Sequence, residues 1–219
     1  MQRRTPVRTL VLALCVMTLG PALANDGMVN GCRITAATLC PETRLAGADL
    51  SQATLSHSNF LGADFTGANL SGARLQESNL SQARLPQANL ERSTLDKADF
   101  RAAEMQRASL KAASLVDASF ENARLAGADL SNTKAAGASF HGAILRGASL
   151  RQADLRRANF NAAELQDASL QGADLRGANF EGANLSGADL TGARLDGTTR
   201  WLDAMVQGCK GCPDAQVAR

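Results

Sequence analysis

Large apolar residues recur every five positions along most of the chain. Between Leu45 and Leu195 there are 31 such positions, and all of them hold Leu, Phe or Met except Ala135. The residue two places before is Ala in 26 of these units and Ser or Thr in the other five. Residues two apart point to the same side of an extended chain. The pattern therefore predicts short extended segments that each turn a small and a large apolar side chain inward.

Neither a helix nor a straight strand accommodates this period. Five residues advance about 500° around an α-helix, so the large residues would form no stripe. In a straight strand an odd period would place them on alternating faces. The chain must bend after each unit. Gly follows the central apolar residue by two places in 14 of the 31 units, where a type II turn needs a positive φ, and Pro86 occupies the preceding corner position.

The phenylalanines indicate how many units close one coil. All seven occupy central positions, and six of them differ by multiples of 20 residues. Four units per coil, each unit one side of a square, would stack these six in one column of the core, interrupted by Leu80. With about 4.8 Å between neighbouring strands, 31 units give about eight coils and a rod of roughly 37 Å. The predicted column consists of Phe60, Phe100, Phe120, Phe140, Phe160 and Phe180.

This pattern resembles the pentapeptide-repeat family, written A-(D/N)-L-x-x, over residues 43–197. The resemblance implies an all-β solenoid, a right-handed quadrilateral β-helix with Leu or Phe at its axis. The handedness comes from the resemblance and not from the period. The resemblance also implies that the polar groups of one face, which is mostly Asp, Asn and Ser, hold turns and solvate the surface. These residues are Asp49, Asn69, Asn89, Ser109 and Asp129.

Residues 1–24 have the features of a secretory signal peptide. Arg3, Arg4 and Arg8 precede a short apolar run, Leu10–Gly20, and small residues stand at Ala22 and Ala24. We predict cleavage after Ala24 and a periplasmic or secreted protein; the alternative is an uncleaved N-terminal anchor. The mature chain would have 23 − 3 = 20 basic and 21 acidic residues, a net charge of about −1. No other apolar run approaches the length that spans a membrane.

Four cysteines would remain in the mature chain, two on either side of the repeats. Cys32 and Cys40 lie in a predicted N-terminal cap, residues 25–42, and Cys209 and Cys212 in a C-terminal segment, residues 198–219, with the single tryptophan, Trp201. The rod separates the two pairs by far more than the roughly 7 Å between Cα atoms that a disulfide allows. Export favours oxidation. We therefore predict Cys32–Cys40 and Cys209–Cys212 disulfides, one at each end.

Charged side chains lie on the outside of the predicted coil. Residues 20 apart should be neighbours, so Arg84, Glu104 and Arg124 form a ladder, Lys134 lies beside Asp154, and Asp174 beside Arg194. One coil is basic and is a candidate interaction patch for an acidic partner or phosphate; the alternative is a solvated ring spread over three faces. The patch comprises Arg146, Arg151, Arg156, Arg157 and Arg176.

No catalytic, cofactor or metal site is predicted. His57 and His141 fall on different faces more than four coils apart. The sequence contains no nucleophile–base set, phosphate-binding loop or paired-carboxylate cleft that we can identify. The sequence CKGC, residues 209–212, matches a thiol-redox motif, but such a site needs a thioredoxin-like setting and a helix N-terminus.

The function predicted is that of a non-catalytic, exported structural or interaction rod that binds an unknown protein or envelope component and no nucleic acid. Two alternatives remain. Some pentapeptide-repeat proteins mimic DNA and bind DNA gyrase, which needs a strongly acidic surface and a cytosolic location. The other alternative is a CxxC thiol-redox protein. Family analogy also allows a homodimer through the C-terminal end.

Overall fold

The computed structural model describes residues 27–213. The predicted signal peptide and the last six residues of the chain lie outside this range, so cleavage after Ala24 stays a prediction. Within the described residues no helix is long and apolar enough to cross a membrane.

A two-stranded antiparallel hairpin opens the described chain. Strands β1 (Met28–Val29) and β2 (Cys32–Arg33) pair Met28 with Arg33 and Val29 with Cys32. The turn between them is Asn30-Gly31, with φ of 48° and 80°. Asn-Gly is the sequence that favours a two-residue hairpin turn with two positive φ angles. Cys32 is buried and Val29 packs beside it, so the hairpin covers the N-terminal end of the core.

From Leu39 onward the backbone forms a four-sided coil. Parallel bridges join residues 20 apart, from Leu39 with Asn59 to Asp174 with Arg194. Each side hydrogen-bonds in both directions: Phe120 N–H donates to Ser139 O (2.7 Å) in the following coil, and Ser119 N–H donates to Ala98 O (3.0 Å) in the preceding one. Four five-residue units therefore close one coil, as the spacing of the phenylalanines predicts.

The corners are tight turns closed by a hydrogen bond across three residues, as from Ala118 N–H to Leu115 O (3.1 Å). The residue two places after the central one has a positive φ in 30 of the 31 units. Thirteen of these are Gly, as the sequence predicts, but 17 are not. An L-residue with a side chain pays roughly 1–2 kcal/mol for this conformation. None of the 17 is β-branched, the type for which it costs most.

Where Asp or Asn stands just before a central position, its side chain holds the next corner. Asp49 Oδ1 accepts the N–H of Ser51 (3.1 Å), and Asn79 Oδ1 accepts the N–H of Ser81 (3.0 Å). The same contact recurs on every face of the coil. Where Ser replaces the inward Ala, its buried hydroxyl is also satisfied: Ser78 Oγ donates to Leu55 O (2.7 Å). The Asp and Asn side chains of the repeat thus hold the turns, as the resemblance implies. Ser does not: Ser109 Oγ donates to Glu91 Oε1 (3.0 Å), and the buried hydroxyls of Ser119 and Ser169 have no hydrogen-bond partner among residues 27–213.

The core is a stack of Leu and Phe along the axis. Apart from Leu195, the central side chains of the repeat are no more than 2 % exposed. Rings from Phe100 to Phe180 lie parallel with centroids 4.9–5.0 Å apart, while Phe65 meets Phe60 edge-on. Ala135 is as buried as its neighbours. The predicted column is present, and its spacing is that of the strands.

The coil continues beyond residue 197, where the sequence predicts that the repeat ends. After Leu195 each bridge spans one more residue than before, so that Asn179 bridges Arg200 and Asp189 bridges Lys210. Trp201 thereby takes the next place in the aromatic column, stacked on Phe180 with centroids 4.7 Å apart. Much of the predicted C-terminal cap is a further turn of the solenoid, displaced by one inserted residue.

Both predicted disulfides are present. Cys32 and Cys40 have Cα atoms 5.6 Å apart, and the link ties the hairpin to the first coil. Cys209 and Cys212 have Cα atoms 5.8 Å apart and close the last turn.

Candidate functional site

The structure separates the five arginines of the predicted basic patch. Arg146 pairs with Glu164, Nε to Oε2 at 2.8 Å, and Arg151 hydrogen-bonds Gln171 at a different corner. The remaining three, Arg156, Arg157 and Arg176, share one corner because their numbers fall at the same place in the four-unit coil. The candidate site is therefore smaller than predicted and confined to that corner.

Two of these arginines are held in the same way, one coil apart. Arg156 donates Nε to Asp154 Oδ1 and Nη2 to Asp154 Oδ2, both at 2.7 Å. Arg176 makes the same two bonds to Asp174, at 2.8 and 2.6 Å. The hydrogen bonds from each guanidinium hold the pKa of its carboxyl partner below the usual range. Each Asp thus fixes the direction of the Arg two residues later.

Arg157 has no ion-pair partner among residues 27–213. It occupies a corner position with φ of 58°, and its aliphatic stem passes over Gly177 in the next coil. A Cβ added at Gly177 would lie 3.3 Å from Arg157 Cγ and 3.4 Å from Thr198 Oγ1. The missing side chain at Gly177 therefore leaves room for the stem of Arg157.

The inserted residue widens the corner above these arginines. Gly177 N–H bonds Asp196 Oδ1 (3.2 Å), whereas Arg157 N–H one coil earlier bonds a backbone carbonyl, Arg176 O (3.0 Å). Asp196 Oδ1 also accepts Thr198 N–H (2.9 Å) and the Thr198 hydroxyl (2.7 Å), which lowers the pKa of that carboxyl. Gly197, the corner residue here, is the one among the 31 units whose φ is not positive.

An open recess of about 310 Å³ lies between the widened corner and the arginines. We call it the arginine groove, lined by Arg156, Arg157, Arg176, Gly177, Asp196 and Thr198. Gly177, Asp196 and Thr198 are not predicted from the sequence. The sequence feature that could have revealed them is the spacing between Leu195 and Trp201, which is six residues instead of five. A search for a strict five-residue period interprets this change of spacing as the end of the repeat.

The predicted charge ladders form only in part. Arg84 Nε lies 3.5 Å from Glu104 Oε2, and Arg194 Nη1 lies 3.7 Å from Asp174 Oδ2. Lys134 is bridged to Asp154 along the backbone, but the carboxylate of Asp154 binds Arg156. A charge on the same corner therefore competes with the charge one coil away for the same carboxylate.

Neither histidine lines the arginine groove. His57 Nδ1 is 3.3 Å from Glu77 Oε2 on exposed side chains, and His141 occupies another corner. Within residues 27–213 no three His, Cys, Asp or Glu side chains lie close enough to hold a metal ion.

A family model for pentapeptide repeats, with eight copies, matches residues 43–82, 73–111, 103–142, 123–161 and 163–199. One solved structure has the same fold, and others are similar in sequence. A trypsin-treated variant of QnrB1, a plasmid-mediated fluoroquinolone resistance protein, is 19 % identical over 83 % of this chain and 92 % of its own, with a TM-score of 0.57.

HetL, involved in heterocyst differentiation regulation in the cyanobacterium Nostoc sp. strain PCC 7120, is 35 % identical over 84 % of this chain and 91 % of its own, with a TM-score of 0.31. A protein of the Arabidopsis thaliana thylakoid lumen is 29 % identical over 58 % of this chain and 67 % of its own, with a TM-score of 0.28. No curated protein sequence matches the chain. The coil is a right-handed quadrilateral β-helix, the fold of this family and of the QnrB1 variant. The chain belongs to the pentapeptide-repeat family.

Proposed function

We propose that the protein is a non-catalytic, exported rod whose outer surface binds a protein or envelope component. The observation that carries the proposal is the unbroken four-unit register from Leu39 to Arg194. It places every outward side chain at a fixed height and on a fixed face, about 4.8 Å from its neighbours above and below. A surface with such fixed spacing suits recognition, because little side-chain or backbone order has to be gained on binding.

The export part of the proposal rests on the sequence of residues 1–24 and on the cysteines. The two disulfides at the ends of the rod fit an oxidising compartment, since cytosolic thiols are kept reduced. N-terminal sequencing of the protein isolated from periplasm or medium tests it. We expect a chain that starts at Asn25; a cytosolic chain with Met1 intact would contradict export.

DNA mimicry with gyrase binding is the less favoured function. It needs a surface of nearly uniform negative charge. The mature chain has 20 basic and 21 acidic residues, and Arg101, Arg156 and Arg176 each lie within 2.7 Å of the Asp two residues before. The likeness to QnrB1 concerns the fold, so its role in fluoroquinolone resistance is not transferred to this chain.

The thiol-redox alternative has less support still. Cys209 and Cys212 lie at the last described turn of a β-solenoid, and residues 27–213 contain no helix N-terminus beside them of the kind that lowers thiol pKa in redox motifs. We propose that this disulfide closes the end of the rod.

We further propose that the C-terminal end pairs with a second copy. Leu202 and Met205 are each 52 % exposed there. The N–H groups of Trp201 and Val206 have no hydrogen-bond partner among residues 27–213, which contain no further coil above them. An open strand edge beside exposed apolar residues favours pairing with another chain.

Light scattering tests the proposed pairing of C-terminal ends. Met205→Lys should convert a dimer to a monomer, while Leu39→Lys at the opposite end should not; a wild-type monomer would contradict it.

Photocrosslinking from the four faces tests the main proposal. A benzoylphenylalanine probe is placed in turn at Ser109, Ser114, Ser119 and Arg124, one outward position on each side of the square. In the native envelope fraction we expect one discrete crosslinked partner from one or two adjacent faces. Equal smears from all four faces, or no adduct from any, would contradict a specific interaction rod.

A further inference from the structure

We propose that the arginine groove is a binding site for a single phosphate group, such as a free phosphate ion or a small phosphate monoester. This goes beyond the proposed rod function and does not depend on it. The inference rests on three guanidinium groups brought to one recess by the coil and on the inserted residue that opens that recess.

The two Asp–Arg forks leave donors available. In Arg156 and Arg176 the carboxylate takes Nε and Nη2, and Nη1 makes no hydrogen bond within residues 27–213. Since both arginines line the groove one coil apart, the two Nη1 groups repeat at about the strand spacing of 4.8 Å. Their orientation is fixed before any ligand arrives, which reduces the ordering cost of binding.

Arg157 supplies the third group. Its guanidinium has no carboxylate partner in the described part of the chain, so its charge is the one not already neutralised by a neighbour. Arginine presents planar pairs of N–H donors that match the oxygens of phosphate. Three guanidiniums offer more donors than the two oxygens of a carboxylate can accept, which favours a tetrahedral oxyanion.

The acidic residues nearby limit the charge of the ligand. Asp196 lines the groove, but its Oδ1 already accepts three hydrogen bonds from Gly177 and Thr198. Asp154 and Asp174 lie with Arg194 in an adjoining recess that shares Arg156 and Arg176. Four arginines against three aspartates leave a net charge of about +1 around the two recesses. This small excess fits one phosphate group and not a nucleic-acid backbone, which needs a continuous basic track.

The inserted residue makes this corner different from the corners one coil below. There the ladder bond runs from backbone to backbone, from Arg157 N–H to Arg176 O (3.0 Å). At the insertion the acceptor of the Gly177 N–H is the Asp196 carboxylate instead of a backbone carbonyl, and a recess separates this corner from Arg157. The groove therefore depends on the lengthened turn, and deleting Gly197 should close it by restoring the four-unit register.

The test is a titration of the ¹⁵N-labelled full mature protein at constant ionic strength with inorganic phosphate, O-phosphoethanolamine and acetate. We expect saturable shifts of the Gly177 and Thr198 amides with both phosphate probes, at a Kd of about 1 mM, and none with acetate. Arg157→Gln should weaken binding by roughly tenfold, the usual effect of losing one charge-assisted hydrogen bond. The matched control is Arg107→Gln, an exposed arginine at the same place in its five-residue unit and with the same φ of 58°, but on the opposite corner of the coil.

Binding that Arg107→Gln and Arg157→Gln weaken equally would overturn the proposal, because it would be general electrostatic attraction. Equal shifts with acetate, or no saturation with either phosphate probe, would overturn it as well. The Gly197 deletion supplies a second variant: lost phosphate shifts with an unchanged far-ultraviolet spectrum support the site, and retained shifts count against it. Saturation with inorganic phosphate alone would assign the site to the free ion, and saturation with both probes to phosphate monoesters as well.

Discussion

Each place in the five-residue unit carries one physical requirement. The central residue fills the axis, the residue two before it must be small, and the polar residue between them accepts the N–H of the coming corner, as Asp189 Oδ1 does from Thr191 N–H (2.9 Å). The corner residue must tolerate a positive φ. The first two requirements are visible in the sequence. The third follows from the preference of Asx side chains for turns, and the fourth is visible only where Gly occupies the corner.

The Asp carboxylates that accept hydrogen bonds at the corners make the free energy of unfolding depend on pH. Hydrogen bonds from Thr191 and Gln171 lower the pKa of Asp189 to about 2, whereas the pKa of an unfolded Asp is about 3.9. A lowered folded pKa contributes stability that is fully present above ~3.9 and is lost as the pH falls toward 2. Asp189→Asn keeps an acceptor, since Asn69 holds the same corner with its Oδ1, but removes the titration.

Urea unfolding from pH 7 down to pH 2 checks this prediction. We expect the wild-type midpoint to fall more steeply with acid than that of Asp189→Asn, with the difference confined to the interval below ~3.9. Parallel pH profiles of the two proteins would mean that Asp189 titrates normally in the folded chain.

Adjacent alanines should respond in opposite directions to substitution by Gly. Ala112 is exposed at a corner with φ of 57°, a conformation that costs Ala roughly 1–2 kcal/mol. Gly relieves that cost, offset by about 0.4–1 kcal/mol of unfolded-state entropy. Ala112→Gly should therefore raise the melting temperature slightly. Ala113 is fully buried, and Ala113→Gly should lower the free energy of unfolding by about 1 kcal/mol. Calorimetry of both variants decides; destabilisation of equal size would show that the corner φ carries no strain.

At the scale of the coil, the square and its aromatic column could be predicted because Phe recurs once every four units. The end of the coil could not. The sequence from Asp196 to Arg200 has no Leu at the expected place, yet Thr199 fills the inward position of Ala and its hydroxyl donates to Leu175 O (3.1 Å). Trp201 then resumes the column on Phe180. A one-residue insertion shifts the phase of the pattern without ending the stack, and a fixed five-residue count does not detect it.

Ala135 is the weak place in the axial stack. Leu115 and Leu155 occupy the same side one coil below and above, and all three are fully buried. Thr133 beside it turns its hydroxyl to Leu130 O (2.8 Å). Ala135→Leu should fill the axis and stabilise the protein by about 0.5–2 kcal/mol, raising the melting temperature by a few degrees.

Thermal unfolding of Ala135→Leu should be measured beside that of Leu115→Ala, a variant of the same face of the coil. Leu115→Ala should lower the free energy of unfolding by roughly 2–5 kcal/mol. A lower melting temperature for Ala135→Leu would mean that the neighbouring side chains already occupy the space and the new side chain is forced off its rotamer.

At the scale of the whole molecule, the rod could be predicted from the sequence and the arginine groove could not. Arg146 and Arg156 are equally basic in sequence, but only Arg156 faces the corner that the insertion widens. The difference depends on which side of the square each residue occupies and on which carboxylate takes its guanidinium. Both follow from the three-dimensional register. The cysteine pairing could be predicted, because the length of the rod leaves each cysteine a single partner.

Four units close one coil, and this closure fixes the spacing of the whole surface. Ser119 and Ser139 are bridged neighbours on one face, so their Cα atoms should be separated by about the 4.8 Å strand spacing, within disulfide range. Lys134 comes three units after Ser119, lies on a different face and would be its neighbour only in a three-sided coil. Peptide mapping after mild oxidation should find a new disulfide in Ser119→Cys/Ser139→Cys and none in Ser119→Cys/Lys134→Cys. The reverse result would contradict the square coil.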